Sequence, residues 1–100
     1  MRVRTEAIQF KADQKLIDHI NKKLQKMDNY FDRIIETKVT LKLENSGQVR
    51  DKITEIKMSV PGDTIIVKES SKTFEAAIDT SIDVLKRRLI KYKERLRRPS

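Results

Sequence analysis

The most constraining feature of the chain is the stretch from Ser71 to Arg98, SKTFEAAIDTSIDVLKRRLIKYKERLRR, in which Phe74, Ile78, Ile82, Leu85, Leu89, Tyr92 and Leu96 recur at steps of three and four. At about 100° per residue these side chains fall on one stripe of a helix, and such a stripe needs a core to pack on. Lys86, Arg87, Arg88, Lys91, Lys93, Arg95, Arg97 and Arg98 project away from it, while Asp79 and Asp83 lie nearer the start, the order a helix macrodipole favours. Eight cations far exceed what compensating a dipole requires. Ser71 is placed as the N-cap, its hydroxyl accepting from first-turn amides, and Pro99 as the residue that stops the helix. A helix that buries one side and floods the other with positive charge is the candidate working surface.

Composition narrows what that surface meets. A length of 100 residues with 37% hydrophobic content suits a single domain with a modest core, thin because it holds two Tyr, three Phe and no Trp. The domain is expected to span residues 1–100, with 97–100 as a frayed tail. Lys and Arg number 23 against 15 Asp and Glu, a net charge of +8 that points to a polyanionic partner, most often nucleic acid, with anionic membrane as the lesser rival. The absence of Cys excludes a disulfide framework, a thiolate nucleophile and a cysteine-based zinc site. The start, MRVRTEAIQF, lacks the apolar core of a signal peptide, and no apolar run approaches the roughly 18 residues of a membrane span, so the expected location is the cytoplasm and no membrane partner is expected.

Arg2 to Ala7 alternates as a half-buried strand does, with Val3 and Thr5 on one side and Arg2, Arg4 and Glu6 on the other. Ile8 and Phe10 lead into a helix from Ala12 to about Met27, whose apolar stripe is Leu16, Ile17, Ile20, Leu24 and Met27, with Asp13 in its first turn. Opposite the stripe stand Lys15, His19, Lys22 and Lys26, with Lys23 at its edge, a second basic face. DNYFDR, from Asp28 to Arg33, folds back so that Tyr30 or Phe31 seals the end of the core. Ile35, Thr37, Val39, Leu41 and Leu43 then alternate with Glu36, Lys38, Thr40, Lys42 and Glu44, the strongest strand signal in the chain. Asn45, Ser46 and Gly47 suggest a turn in a loop that continues to Asp51. A third strand from about Lys52 to Val60 turns Thr54, Ile56, Met58 and Val60 inward, with Ile53 out of phase, as at a bulge or at the strand's entry. Pro61-Gly62-Asp63 is a turn into a fourth strand, Thr64 to Glu69, in which Ile65, Ile66 and Val67 leave the inward face ambiguous.

The expected fold is α+β in the order β-α-β-β-β-α, a four-stranded, mainly antiparallel sheet with both helices packed on one face, like a double-stranded-RNA-binding domain. Strands two to four form the meander and strand one is added beside them.

These residues also match a family. AAID at Ala76 to Asp79, followed by Leu85-x-Arg87-x-Leu89-x-Lys91-Tyr92-Lys93, resembles the helix of the ribosome hibernation promoting factors, also called ribosome-associated inhibitor A or protein Y. Lys22-Lys23-Leu24-x-Lys26-Met27 resembles the family's first helix and Val60-Pro61-Gly62 its third hairpin, so the likeness covers nearly the whole chain. The resemblance implies binding to the small ribosomal subunit, in the channel for messenger and transfer RNA, during starvation or stationary phase, which blocks translation and protects idle ribosomes. Lys23 and Lys26 match basic positions of the first helix, and Arg87 and Lys91 of the second. Val84 departs from a usually basic position, while Lys86 and Arg88 stand where Glu and Gln are common, so the charge is redistributed along the helix. With no second domain before Ser100, the chain resembles the family's short form.

Charge and fold point the same way. The expected rRNA-binding set is Lys22, Lys23, Lys26, Lys86, Arg87, Arg88, Lys91 and Arg95. Helix-borne cations suit phosphate contacts and the shape of folded RNA, and no aromatic ladder for single-strand stacking is legible. Catalysis is not expected: His19 has only Asp18 or Asp13 as evident partners, and two glycines cannot build a phosphate-cradling loop. No catalytic residue, cofactor, metal or small-molecule substrate is expected, His19 is read as a solvated histidine near phosphate, and the isolated chain is read as a monomer. The alternative is a general double-stranded-RNA-binding or structural ribosomal protein without an inhibitory role; a protein interaction module would lack salt-dependent RNA affinity.

Overall fold

The structure, a computed structural model, describes residues 1–46 and 49–97. Gly47 and Gln48 of the expected loop lie outside the described residues, as do Arg98, the expected helix stop Pro99, and Ser100.

The elements are β1 (Arg2–Ala7), α1 (Gln14–Gln25) continued by a 3-10 turn (Lys26–Asn29), β2 (Glu36–Ser46), β3 (Val49–Val60), β4 (Asp63–Ser71) and α2 (Phe74–Arg97). The sheet order is β1-β2-β3-β4, with β1 parallel to β2 and the other pairs antiparallel. A helical crossover separates β1 from β2 and makes a parallel pair possible, whereas connections of two residues leave only antiparallel pairing for the others. Both helices lie on one face.

Alternation in β1 is as read: Arg2, Arg4 and Glu6 are exposed and Val3, Thr5 and Ala7 half-buried. In β2 the inward row is only partly dry. Thr37, Val39 and Leu41 are fully buried, but Ile35 and Leu43, expected in the same row, are 61% and 41% exposed. Period two sets the face a residue takes; how far the helices reach over that face sets whether it is dry. Polar composition misplaced the next loop, since backbone pairing continues to Ser46↔Val49 and β3 begins three residues before Lys52. Pairing satisfies backbone N–H and C=O groups whatever the side chains are, so polar residues do not end a ladder.

Thr54, Ile56, Met58 and Val60 are buried as expected. There is no bulge at Ile53: the register with β2 runs unbroken, and Ile53 points to the helix-free face, covered there beside Glu44 and Lys68. Long charged side chains shield apolar surface with their stems. In β4, Ile65 and Val67 point inward and Ile66 is exposed, which settles the ambiguity. Gly62 at φ 77° makes the turn before it.

Two caps differ from the reading. Asp13 lies outside α1 as its N-cap, its carboxylate accepting from the Leu16 N–H at 2.8 Å. Ser71 is consumed by the β4 ladder opposite Lys52, so the hydroxyl that caps α2 is Thr73 Oγ1, accepting from the Ala76 N–H at 3.1 Å. Thr73→Ala is therefore expected to cost about 1 kcal/mol, read as a lower midpoint in urea, while Thr73→Ser retains the parental midpoint.

The core joins Leu16, Ile20, Leu24 and Met27 of the first helical segment to Phe74, Ile78, Leu85, Leu89 and Tyr92 of α2 above the sheet. Ile17 and Ile82 are half-buried and small Ala77 and Ser81 lie against the core. Leu96, expected on the stripe, is 53% exposed. The Tyr92 hydroxyl already donates to the Pro61 carbonyl at the β3–β4 turn, so the sheet ends under Tyr92, and Leu96, one turn later, is left beside Phe31 at the edge of the core. Phe10 stacks on Phe74 with centroids 5.1 Å apart, and Phe31 meets Tyr92 edge-on at 5.5 Å. Phe31, not Tyr30, seals that end.

Candidate nucleic-acid interface

Charge is segregated between the two faces of the molecule. On the helix-free face of the sheet, cations and carboxylates interleave: Arg4 lies 3.3 Å from Glu36, Lys38 3.5 Å from Glu6 and Lys57 3.8 Å from Glu55. Exposed pairs of this kind add little stability, but they leave that face nearly neutral. On α2, from Leu85 to Arg97, seven cations face a single carboxylate, Glu94. Lys22 and Lys23 occupy the last turn of α1, where the helix dipole favours them, and Lys26 follows in the 3-10 turn. The excess positive charge therefore lies on the helical side.

Seven of the eight expected residues fall into two groups, and Arg87 stands apart from both. Asp79 of α2 joins the helices: its Oδ1 lies 3.0 Å from His19 Nε2 and 3.9 Å from the Lys23 ammonium. This contact sets the α1 row Lys22, Lys23 and Lys26 beside α2. Lys86 belongs to the same crest, its ammonium 4.5 Å from the centre of the Tyr30 ring, just past the 3-10 turn that carries Lys26. Arg88, Lys91 and Arg95 occupy the other flank of α2, where they line a groove of about 580 Å³ against Asp63 to Ile66 of β4. There Arg88 donates to the Ile66 carbonyl, and Arg95 lies 3.5 Å from the Asp63 carboxylate. Arg87 is exposed; among the described residues neither it, Lys22, Lys26 nor Lys91 has a carboxylate within 4.0 Å.

His19 does have a carboxylate partner, but it is neither Asp18 nor Asp13. Asp18 is engaged by Gln14 at 2.8 Å and Asp13 by the Leu16 amide, leaving Asp79, 60 positions away, where no local pattern points. Tyr30, under the Lys86 ammonium, is 37% exposed. The signal for it was the Tyr30-Phe31 doublet, in which Phe31 alone suffices for the core. Lys93 donates to the Tyr30 carbonyl and so anchors the turn to α2.

Ammonium and guanidinium groups on a sheet-backed face suit phosphate contacts, which position a partner without reading its sequence. Among the described residues no cluster of three or more His, Cys, Asp or Glu could hold a metal ion. Among them, no helix is long and apolar enough to cross a membrane.

Comparison with known proteins shows what the chain is similar to. The family described as sigma 54 modulation protein / S30EA ribosomal protein matches residues 3–97. The ribosome hibernation promotion factor of Deinococcus radiodurans is 35% identical over 80 residues, covering 78% of this chain and 41% of that protein. The ribosome hibernation promoting factor of Pseudomonas putida is 30% identical over 95 residues, covering 95% of this chain and 89% of the relative. Among solved structures, the N-terminal domain of Thermus thermophilus protein Y superposes with a TM-score of 0.80 at 26% identity, over 92% of this chain and 99% of that domain.

Proposed function

The chain belongs to the sigma 54 modulation protein / S30EA ribosomal protein family, and from that premise we propose that it is a ribosome-binding hibernation factor. Its helical face sits on the rRNA of the small subunit within the channel for messenger and transfer RNA, inhibiting translation and stabilising idle ribosomes in the cytoplasm. The observation that carries this reading is the segregation of charge: cations without carboxylate partners gather on the helices while the sheet face is nearly balanced. The relatives' names supply the ribosome as the polyanion.

In this reading the crest and the β4 flank of α2 contact different phosphates, and the neutral sheet face points away from rRNA. Release of condensed counterions drives association, while the shape of folded rRNA and the rigid sheet fix the orientation. Inhibition then follows from occupancy, with no chemistry at the bound site. Binding to purified small subunits is expected to weaken steeply with salt, with a log-log slope of roughly −3 to −5 for about five neutralised phosphates. A slope near zero refutes the electrostatic reading. Competition by messenger and transfer RNA in the same cosedimentation assay supports the channel site; retention of the protein on translating ribosomes in a polysome profile of fed cells favours a structural ribosomal protein instead.

A further inference from the structure

We propose that Tyr30 is a stacking platform for one unpaired base of the bound RNA, with Lys86 clamping the phosphate beside that base. This rests on the ribosome-binding reading and specifies how part of that surface works.

The core does not need Tyr30. Phe31 supplies the edge-on contact to Tyr92 at 5.5 Å, and Phe10 and Phe74 stack on each other, which leaves Tyr30 as the exposed aromatic among the described residues. Its backbone is nevertheless held on both sides: the Tyr30 N–H donates to the Met27 carbonyl at 3.0 Å, and the Tyr30 carbonyl accepts from Lys93. A ring that is exposed while its backbone is fixed loses little freedom on binding. Lys86 occupies one face of the ring, with its ammonium 4.5 Å from the centroid. With 37% of the residue exposed, Tyr30 keeps surface that a planar partner can reach.

The surroundings name that partner. Tyr30 ends the 3-10 turn that Lys26 begins and lies under the Lys86 ammonium, in a surface suited to phosphate, so the planar group that reaches it is a nucleobase. Bases inside a duplex are stacked on both sides and have no face to give, which selects an unpaired or splayed nucleotide. Every base has a π-face, so the contact adds affinity without choosing a sequence. A ring that only shielded the stem of Lys86 would need no such neighbours.

The test uses the absence of Trp from the chain, since Tyr30→Trp then carries the sole indole. Its emission is expected to be quenched by single-stranded RNA and by small subunits, and to change little with duplex RNA of equal phosphate count. Tyr30→Leu keeps an apolar group against Lys86 and is expected to bind small subunits about tenfold more weakly with the salt slope unchanged, whereas Tyr30→Phe binds within about twofold of the parent. Lys86→Gln is expected to lower the salt slope by about one. Parental affinity in Tyr30→Leu overturns the proposal, as does indole emission that ignores bound small subunits or is quenched equally by duplex. If Tyr30→Leu melts below the assay temperature, the emission arm decides alone. A parent chain that shows no salt-steep binding to small subunits refutes the ribosome-binding reading instead, so the two failures are distinct.

Discussion

Leu85→Ala and Leu89→Ala are each expected to lower stability by about 2 to 5 kcal/mol, because each truncates a side chain with no solvent exposure at the contact between α2 and the sheet. A domain of this size has about 5 to 15 kcal/mol in total, so either change removes a large share of it. Thermal midpoints should fall by roughly 10 °C or more, followed by circular dichroism. The two residues are one turn apart, so the double variant should depart from additivity. Leu96→Ala is the internal control: it lies on the same sequence stripe but is 53% exposed, and its midpoint should move by only a few degrees. Equal losses at Leu85, Leu89 and Leu96 would show that the stripe packs along its full length, contrary to the burial seen.

That contrast also marks the limit of what periodicity discloses. The repeat at Phe74, Ile78, Leu85, Leu89 and Tyr92 was sufficient to place α2 and its buried face, and the alternation in β2 to place a central strand. Both describe one element at a time. The fates of Ile35, Leu43 and Leu96 depend on where a neighbouring element stops, which is a property of the assembled layers. The cap of α2 failed for a similar reason: Ser71 and Thr73 offer equivalent hydroxyls, and only the length of the β4 ladder decides between them. Ile53 looked like a defect because its inward neighbours set the phase, yet a strand has two faces and the helix-free one can shelter an apolar side chain under charged ones.

For the candidate site, the sequence disclosed which residues are cationic and that most would be exposed. It did not disclose how they are grouped. Arg87 and Arg88 are adjacent in sequence, but the step of about 100° turns Arg88 down toward the Ile66 carbonyl while Arg87 stays in solvent. Lys86 reads as one more cation until the 3-10 turn brings the Tyr30 ring beneath it. The His19–Asp79 contact depends on two helices meeting, and the only carboxylates near His19 in sequence are committed to a cap and to Gln14.

The second large effect isolates binding from folding. Arg87→Glu with Lys91→Glu replaces +1 by −1 at two exposed positions, which lowers the net charge from +8 to +4. Neither side chain has a carboxylate partner within 4.0 Å among the described residues, so no ion pair is broken. The new Glu at 87 sits one turn from Asp83, the new Glu at 91 three residues from Glu94, and the two lie one turn from each other, three like-charge pairs that cost a few tenths of a kcal/mol each. Stability should therefore change by about 1 kcal/mol or less. Binding to a fixed polyanion should change far more, because each lost cation forfeits counterion release and each new carboxylate adds repulsion. The expected result is a folded variant that neither cosediments with small subunits nor inhibits a cell-free translation reaction, with affinity reduced at least a hundredfold at low salt. Inhibition equal to the parent's would remove the exposed back of α2 from the rRNA surface and leave the α1 row, Lys15, Lys22, Lys23 and Lys26, to carry it.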